Sequence, residues 1–357
     1  MKYPYNYSII LRDCEVLAQS VDSFLFKNKT ILITGANGMI GSFLSDFFCF
    51  LNDNFDTQIK LFLTSYSEKE KAERLKNIIN RDDVNYFSWD SSEPIDTEKN
   101  LGEPIDLVFF CSGYAQPSKF LKNNIKTSLI NVVGLESILG YVQKNGGGDF
   151  AFLSTSELYG EPPIEMLPTP ESYGGVYELD NNRAAYKVSK TMGEVLCKEY
   201  NKFDNMNVKI FRVALTYGPG TLHSDERVLQ EFIFKALNTG SIQMFDDGSS
   251  IRNYLYVLDS VRVFINCLTN GKHLVYNVGG DREPTSIYEL ANKIAKYFGV
   301  KAIKGKSKVN SVKTAPKNVR LDMSRYRDEF SDDDFISLDD GVKNIIEWFN
   351  LDEHERD

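Results

Sequence analysis

An α/β fold built on a doubly wound parallel sheet, with a smaller C-terminal α/β subdomain, is what this sequence predicts. Three observations carry the prediction. Short apolar, β-branched runs alternate with stretches of helical periodicity, the pattern of strands joined by helical crossovers. Those runs are near-continuously apolar rather than alternating, as strands covered on both faces must be. The chain has 357 residues, enough for one large domain or two smaller ones with a self-sufficient core.

In chain order, residues 1–28 read as an N-terminal helical extension through the amphipathic stretch SIILRDCEVLAQS. KTILIT (29–34) is the first buried strand, ended by Gly35, and MIGSFLSDFFCFL is the helix after it. QIKLFLTS (58–65) is a second strand, and the charged SEKEKAERLKNII (67–79) has the spacing of an amphipathic helix. PIDLVFFCS (104–112), DFAFLSTS (149–156) and NVKIFRVALTYGP (207–219) are further strands, with a helix over NVVGLESILGYVQ between the first two. Beyond about residue 220 the pattern is less regular. RVLQEFIFKALNTG is a helix stopped by glycine, and SIYELANKIAKYFG is another, with Ser286 as N-cap and Gly299 as stop.

Composition narrows the function. The net charge is −9 with 42% hydrophobic and 25% charged residues. With a pI near 5.1 and no basic run, a nucleic-acid partner is not expected. No apolar stretch approaches the roughly 20 residues of a membrane span, so no membrane association is expected. Arg12, Asp13 and Glu15 interrupt the most apolar part of the N-terminus and spoil it as a signal peptide. The five cysteines (Cys14, Cys49, Cys111, Cys197, Cys267) form no C-x-x-C pair, which suits reduced thiols in the cytoplasm. Three histidines and no clustered cysteines give no metal site.

The sharpest local signal is T-G-A-N-G-M-I-G, which places Gly35, Gly38 and Gly41 after the first strand and at the start of a helix. One glycine makes the turn, one admits a pyrophosphate to the backbone, and one allows close helix–strand packing. The helix N-terminus then offers free N–H groups to the phosphates. Asn37, Met39 and Ile40 belong to the same loop and first turn. The second strand ends F-L-T-S-Y-S without the acid expected to hold a ribose, and Lys69, Lys71 and Arg74 follow, so NAD and NADP both stay open.

A second constellation is Tyr186 and Lys190 in R-A-A-Y-K-V-S-K. Four residues apart on a helix, they share a face, and an ammonium beside a phenol favours the phenolate. That is what removing a hydroxyl proton during hydride transfer requires. Tyr297 and Lys301 repeat the spacing, but lack the strand-end partner that S-T-S-E-L-Y-G (154–160) supplies to Tyr186. Thr155 in that segment completes a Thr–Tyr–Lys set.

The G-x-x-G-x-x-G spacing, S-T-S-E-L-Y-G and Y-x-x-x-K together resemble the extended short-chain dehydrogenase/reductases, and within them the NAD-dependent epimerase/dehydratase family, which acts on nucleotide-diphosphate sugars. The resemblance spans residues 29 to 349 and includes 108–117, N-V-V-G (131–134), T-Y-G-P-G (216–220), 227–233, 246–259 and Y-N-V-G-G (276–280). It implies a Rossmann-type NAD(P)-binding domain over 29–219, with a contribution from about 242–275. A nucleotide-sugar-binding subdomain over 220–241 and 276–357 is implied beside it. It also implies Asp90 near the adenine, Ser112 at the cofactor, and Gln116, Arg183, Arg227 and Arg252 at the substrate, the arginines suiting phosphates. A homodimer through the helices bearing Tyr186 and Asn131 is implied as well.

Members of the family oxidise the sugar at C4, and the residues after Thr155 then select the outcome. Sugar 4,6-dehydratases carry T-D-E there. This chain has Thr155-Ser156-Glu157, and a serine cannot act as that carboxylic acid. T-S-E with Arg183 three residues before Tyr186 is most similar to UDP-glucuronate decarboxylases. A 4-epimerase, a 4,6-dehydratase, an NAD(P)H-dependent reductase and a non-catalytic NAD(P)-binding sensor or scaffold are the alternatives. One departure from the family is Leu215, where an asparagine usually contacts the substrate.

Overall fold

The structure, a computed structural model, describes residues 5–177, 179–280, 284–306, 316–332 and 334–349. Seven parallel strands form its central sheet: β1 (Thr30–Thr34), β2 (Lys60–Ser65), β3 (Val84–Ser88), β4 (Leu107–Phe110), β5 (Gly148–Thr155), β6 (Met206–Val213) and β7 (Val275–Val278). Their order across the sheet is β7-β6-β5-β4-β1-β2-β3. The direction of winding reverses between β1 and β4, and the carboxyl ends of these strands open the crevice where such sheets bind ligands.

Alternate strand residues feed two separate cores. Ile31, Ile33 and Phe109 face one side, with α2 (Met39–Phe55) and α6 (Val257–Asn270). Leu32, Val108 and Phe110 face the other, with α3 (Asn124–Lys144) and α4 (Ala184–Tyr200). The N-terminal helix α1 (Ser8–Ser20) packs its Ile9, Ile10, Cys14 and Leu17 face onto the first layer. Two hydrogen bonds fix it there: the Tyr7 hydroxyl to Asp46 at 2.6 Å and the Tyr256 hydroxyl to Asp13 at 2.7 Å.

The C-terminal part adds α5 (Val228–Thr239), α7 (Ile287–Tyr297), α8 (Ser324–Phe330) and α9 (Leu338–Trp348). Ser286 caps α7 in a full capping box with Glu289, and Gly240 ends α5 in the left-handed region. Three two-strand pairs knit this part to the sheet. Leu215–Tyr217 runs parallel to Tyr254–Tyr256, Ile251–Arg252 antiparallel to Thr285–Ser286, and Ser241–Gln243 parallel to Lys301–Ile303. Strand β7 lies at the seam of the two spans expected for cofactor and substrate.

Two expectations are corrected, and one strand was not expected. Residues 67–79 form two single 3-10 turns, Lys69–Lys71 and Glu73–Leu75, rather than a helix. Their backbone is claimed by distant partners: the Arg74 N–H donates to Asn37 Oδ1, and the Ser67 carbonyl accepts from Tyr86. Strand β3 carried no continuous apolar run because it is a half-exposed edge strand. A long apolar helix does exist: α3 has 21 residues, a mean hydropathy of 1.2 in its best window, and sufficient length to cross a membrane. Its Leu135, Ile138, Leu139 and Val142 are buried in the second core.

Candidate active site

The glycine loop leaves β1 through Gly35 at φ +63°, where a Cβ would stand 2.7 Å from the Cys111 carbonyl oxygen. A Cβ on Gly41 would lie 2.6 Å from the Gly35 carbonyl oxygen. No side chain caps α2 at Gly38, so its first-turn N–H groups are available to an anion. This cradle fits a dinucleotide pyrophosphate.

Loop 218–227 is seated against the glycine loop. Arg74 donates from Nη1 to the Asn37 carbonyl at 2.9 Å and from Nε to the Gly220 carbonyl at 2.5 Å. The Asn37 amide also donates to Ser67 Oγ at 3.2 Å. Met39 Sδ accepts from Thr221 and from Arg227 Nη2, and Ile40 packs on the first core. Arg74 therefore clamps two loops instead of facing a ribose 2′-phosphate. Burial, with Arg227 nearby, pushes its guanidinium down to about 10. Lys71 pairs with Glu68 at 2.7 Å, and Lys69 is exposed.

Asp90 follows β3. It accepts from the backbone and hydroxyl of Ser92 and pairs with Lys126 at 2.6 Å. Burial opposes the carboxylate, but these bonds carry its pKa below the ordinary range. Lys126, which the sequence reading missed, also lies 5.0 Å over the Tyr66 ring. Ser112 ends β4, its hydroxyl 2.9 Å from that of Ser91 and its N–H donating to Thr34. Gln116 stands at the N-cap position of the short helix Pro117–Phe120, its side chain making no capping bond.

Thr155 closes β5 and accepts the Glu157 N–H at 3.2 Å, so Ser156 and Glu157 begin a 3-10 turn, Ser156–Tyr159. Helix α4 brings Tyr186 and Lys190 to the same strand end, both buried. Lys190 Nζ donates to the Leu153 carbonyl at 2.6 Å and lies 4.7 Å over the Phe152 ring. Burial pushes its ammonium down to about 8, against the opposing pull of Cys111, Cys197 and Glu194. The expected depression of the Tyr186 phenol is not found. Burial drives its pKa well up, Glu157 adds to the rise, and hydrogen bonding with Thr155 and the charge of Arg183 only partly offset it. The ammonium is directed to a backbone carbonyl rather than to the phenol.

Arg183 grips Glu157 with both Nε, at 2.9 Å, and Nη2. Its guanidinium lies 5.0 Å over Phe120, and Phe120 stacks on Tyr186 at 4.6 Å and 5°. Phe120 thus joins the carboxylate–arginine pair to the phenol. It is a further residue that spacing could not have found, because the contact spans distant parts of the chain. Arg227 is held by Asp225, 2.5 Å from Nη2, and by the Thr216 carbonyl. Asp225, two residues earlier, was the signal in the sequence for that pair. Arg252 donates from Nη1 to the carbonyls of Ile251 and Lys317 and forms no ion pair among the described residues. Of the expected substrate contacts, Arg183 and Arg252 lie toward Glu157, while Arg227 is directed to the glycine loop.

Comparison with known proteins agrees with this geometry. The profile of the NAD dependent epimerase/dehydratase family matches residues 31–279. The chain belongs to that family, whose cofactor is NAD. UDP-glucuronic acid decarboxylase 1 of Danio rerio is 27% identical over 331 residues, covering 92% of this chain and 74% of the relative. UDP-glucuronic acid decarboxylase 3 of Arabidopsis thaliana is 29% identical over 328 residues, covering 92% and 91%. The fold is shared with UDP-glucuronic acid 4-epimerase from Bacillus cereus, solved with UDP-glucuronic acid and NAD: the TM-score is 0.73 at 22% identity, over 90% of this chain and 99% of that one.

Proposed function

We propose that this protein is an NAD-dependent nucleotide-sugar enzyme that works through a 4-keto intermediate, most like a UDP-glucuronate decarboxylase. The observation that carries the reading is the joined set Thr155, Tyr186, Glu157 and Arg183, with Ser156 where a 4,6-dehydratase needs an acid. In this reading the sheet domain holds NAD, and residues 220–241 and 276–357 carry the nucleotide sugar.

When bound, NAD supplies the hydride acceptor and donor. Once the phenol has given up the proton that burial makes it hold, Tyr186 Oη takes the proton of the sugar 4-hydroxyl, with Thr155 Oγ1 bonded to the same oxygen. A 4-ketone beside a C5 carboxylate is a β-keto acid, which loses carbon dioxide without a base to remove a C5 proton. Glu157, gripped by Arg183, stands beside the sugar ring in this reading, and Arg252, which forms no ion pair among the described residues, provides a cation nearby. Ser156 has no proton acidic enough to release a 6-hydroxyl, which counts against dehydration.

The test is to incubate the NAD-loaded protein with UDP-glucuronate and weigh the product. Loss of carbon dioxide supports the reading. Loss of water, unchanged mass with inverted C4, or stoichiometric consumption of NAD(P)H would replace it with dehydration, epimerisation or reduction, and no product at all would leave a sensor or scaffold. Tyr186→Phe should keep its melting temperature and lose about 10²–10⁴-fold in turnover; undiminished activity would remove the catalytic role.

A homodimer is part of the proposal. Val188, Met192 and Val195 form an exposed apolar stripe on α4, at 39%, 42% and 43% exposure, beside Ile125 of α3 at 78%. A monomer by light scattering at micromolar concentration would refute it. Five free cysteines support work in the reducing cytoplasm. The buried apolar face of α3 supports work away from membranes.

A further inference from the structure

The Tyr254 hydroxyl is buried and has no hydrogen-bond partner among the described residues. Buried polar groups are nearly always satisfied, so an orphaned donor of this kind points to a ligand or water. Its strand pairs with Leu215–Tyr217 in a register that sets Tyr254 against Leu215, on the same face. Leu215 offers that hydroxyl no polar atom. The ring is held edge-on to Tyr217, with centroids 5.9 Å apart at 89°.

Two residues earlier on the same extended run stands Arg252. Alternation puts Arg252 and Tyr254 on one face and Asn253 on the other, where the Asn253 amide donates to the Gly280 carbonyl. Among the described residues only Nη1 of Arg252 is engaged, by the two carbonyls of Ile251 and Lys317. Among them, a cation without an ion-pair partner and a donor without an acceptor therefore share one face.

Their surroundings give the direction. Arg252 feels Glu157, Glu161 and Arg183 on the catalytic side, with Glu161 itself accepting the Lys317 N–H. The charges that Tyr254 feels are Arg252 and Arg227, both cationic. Burial nevertheless keeps the phenol protonated, and so a donor. A cation and a hydrogen-bond donor on one face are what an oxyanion takes.

We propose that the Tyr254 hydroxyl donates a hydrogen bond to the diphosphate of the nucleotide sugar and forms, with Arg252, the anion cradle of the substrate site. This rests on the nucleotide-sugar reading above and adds a specific binding group to it. Tyr254→Phe removes the hydroxyl and little else. The experiment measures UDP binding to the NAD-loaded wild type and variant by calorimetry, KM and kcat for UDP-glucuronate, and the melting temperature of each protein.

A hydrogen bond to a charged acceptor predicts about a ten- to hundred-fold loss of UDP affinity. The same factor should appear in the KM for the nucleotide sugar, with an unchanged melting temperature. Wild-type-like UDP binding by the variant overturns the proposal and leaves the nucleotide-sugar reading intact. A raised KM with unchanged UDP affinity also overturns it, because the hydroxyl would then contact the sugar. A wild type that binds no UDP and turns over no UDP-sugar overturns the parent reading, and this one with it. A fall in melting temperature together with UDP affinity would mark a packing role and overturn the proposal.

Discussion

The seat of α1 and the surroundings of the site bury carboxylates in different company. In the layer of α1 and α2, Asp46 and Asp13 are almost wholly buried and each is met by a tyrosine hydroxyl. Around the site, Glu194 receives Nε and Nη2 of Arg212 at 3.0 and 2.8 Å, and Glu157 and Asp225 are held by Arg183 and Arg227. Desolvation acts on both sides, but a guanidinium favours the charged form far more than a phenol does. Burial pushes Asp46 up to about 7 and Asp13 to about 6, each phenol only partly offsetting it. Burial also opposes the Asp225 carboxylate, yet Arg227 carries it below the ordinary range. The two phenol-bonded aspartates at α1 therefore titrate near neutrality, whereas the Asp225 carboxylate is a fixed partner of Arg227.

The comparison can be broken most easily at Arg212. Arg212→Met leaves Glu194 buried and uncompensated, an expected loss of about 3–5 kcal/mol. The urea midpoint measures it, and a loss below about 1 kcal/mol would contradict the account of the ion-pair side. A smaller effect is expected from Asp46→Asn. The folded pKa of Asp46 exceeds its unfolded value, so its contribution is fully present below about 4 and is lost as pH rises through about 7. Replacing it by asparagine should flatten stability over that window and make the variant about 1–3 kcal/mol more stable than wild type at alkaline pH. An unchanged pH slope would show that Asp46 is already ionised. The smallest effect belongs to Lys126→Met. Its pair with Asp90 is exposed, 42% and 33% for the two side chains, and should be worth under about 1 kcal/mol. A larger loss in thermal stability would mean that this surface pair behaves like the buried ones.

Much of this was legible in the sequence because the chemistry is written locally. A turn that needs glycine at Gly35 and Gly41, a Thr155 at a strand end and a Tyr–Lys pair on one helical face are all short-range patterns. The central strands were legible because burial on both faces makes them continuous apolar runs. What a side chain does with its fork was not. Arg74, read as a possible phosphate ligand, bridges Asn37 to Gly220. Arg227 is anchored by Asp225, and Lys190 turns to the Leu153 carbonyl. Each partner is chosen by tertiary placement rather than spacing. The stack of Phe120 on Tyr186 joins residues 66 positions apart by number, and no periodicity encodes that. Strand β3 escaped notice because an edge strand need not be apolar throughout.

Both tryptophans of the chain adjoin segments that the proposed function gives to the cofactor. Trp89 immediately precedes Asp90, and its indole donates to the Glu93 carbonyl. Trp348 donates to the Thr221 carbonyl and stacks on Tyr5 at 4.9 Å, beside the loop that rests on Met39. With NAD bound as proposed, the protein thus carries its own fluorophores beside two segments of the cofactor site. Its intrinsic emission gives an optical titration of cofactor loading without any label, while a ligand confined to the sugar end would leave Trp89 undisturbed.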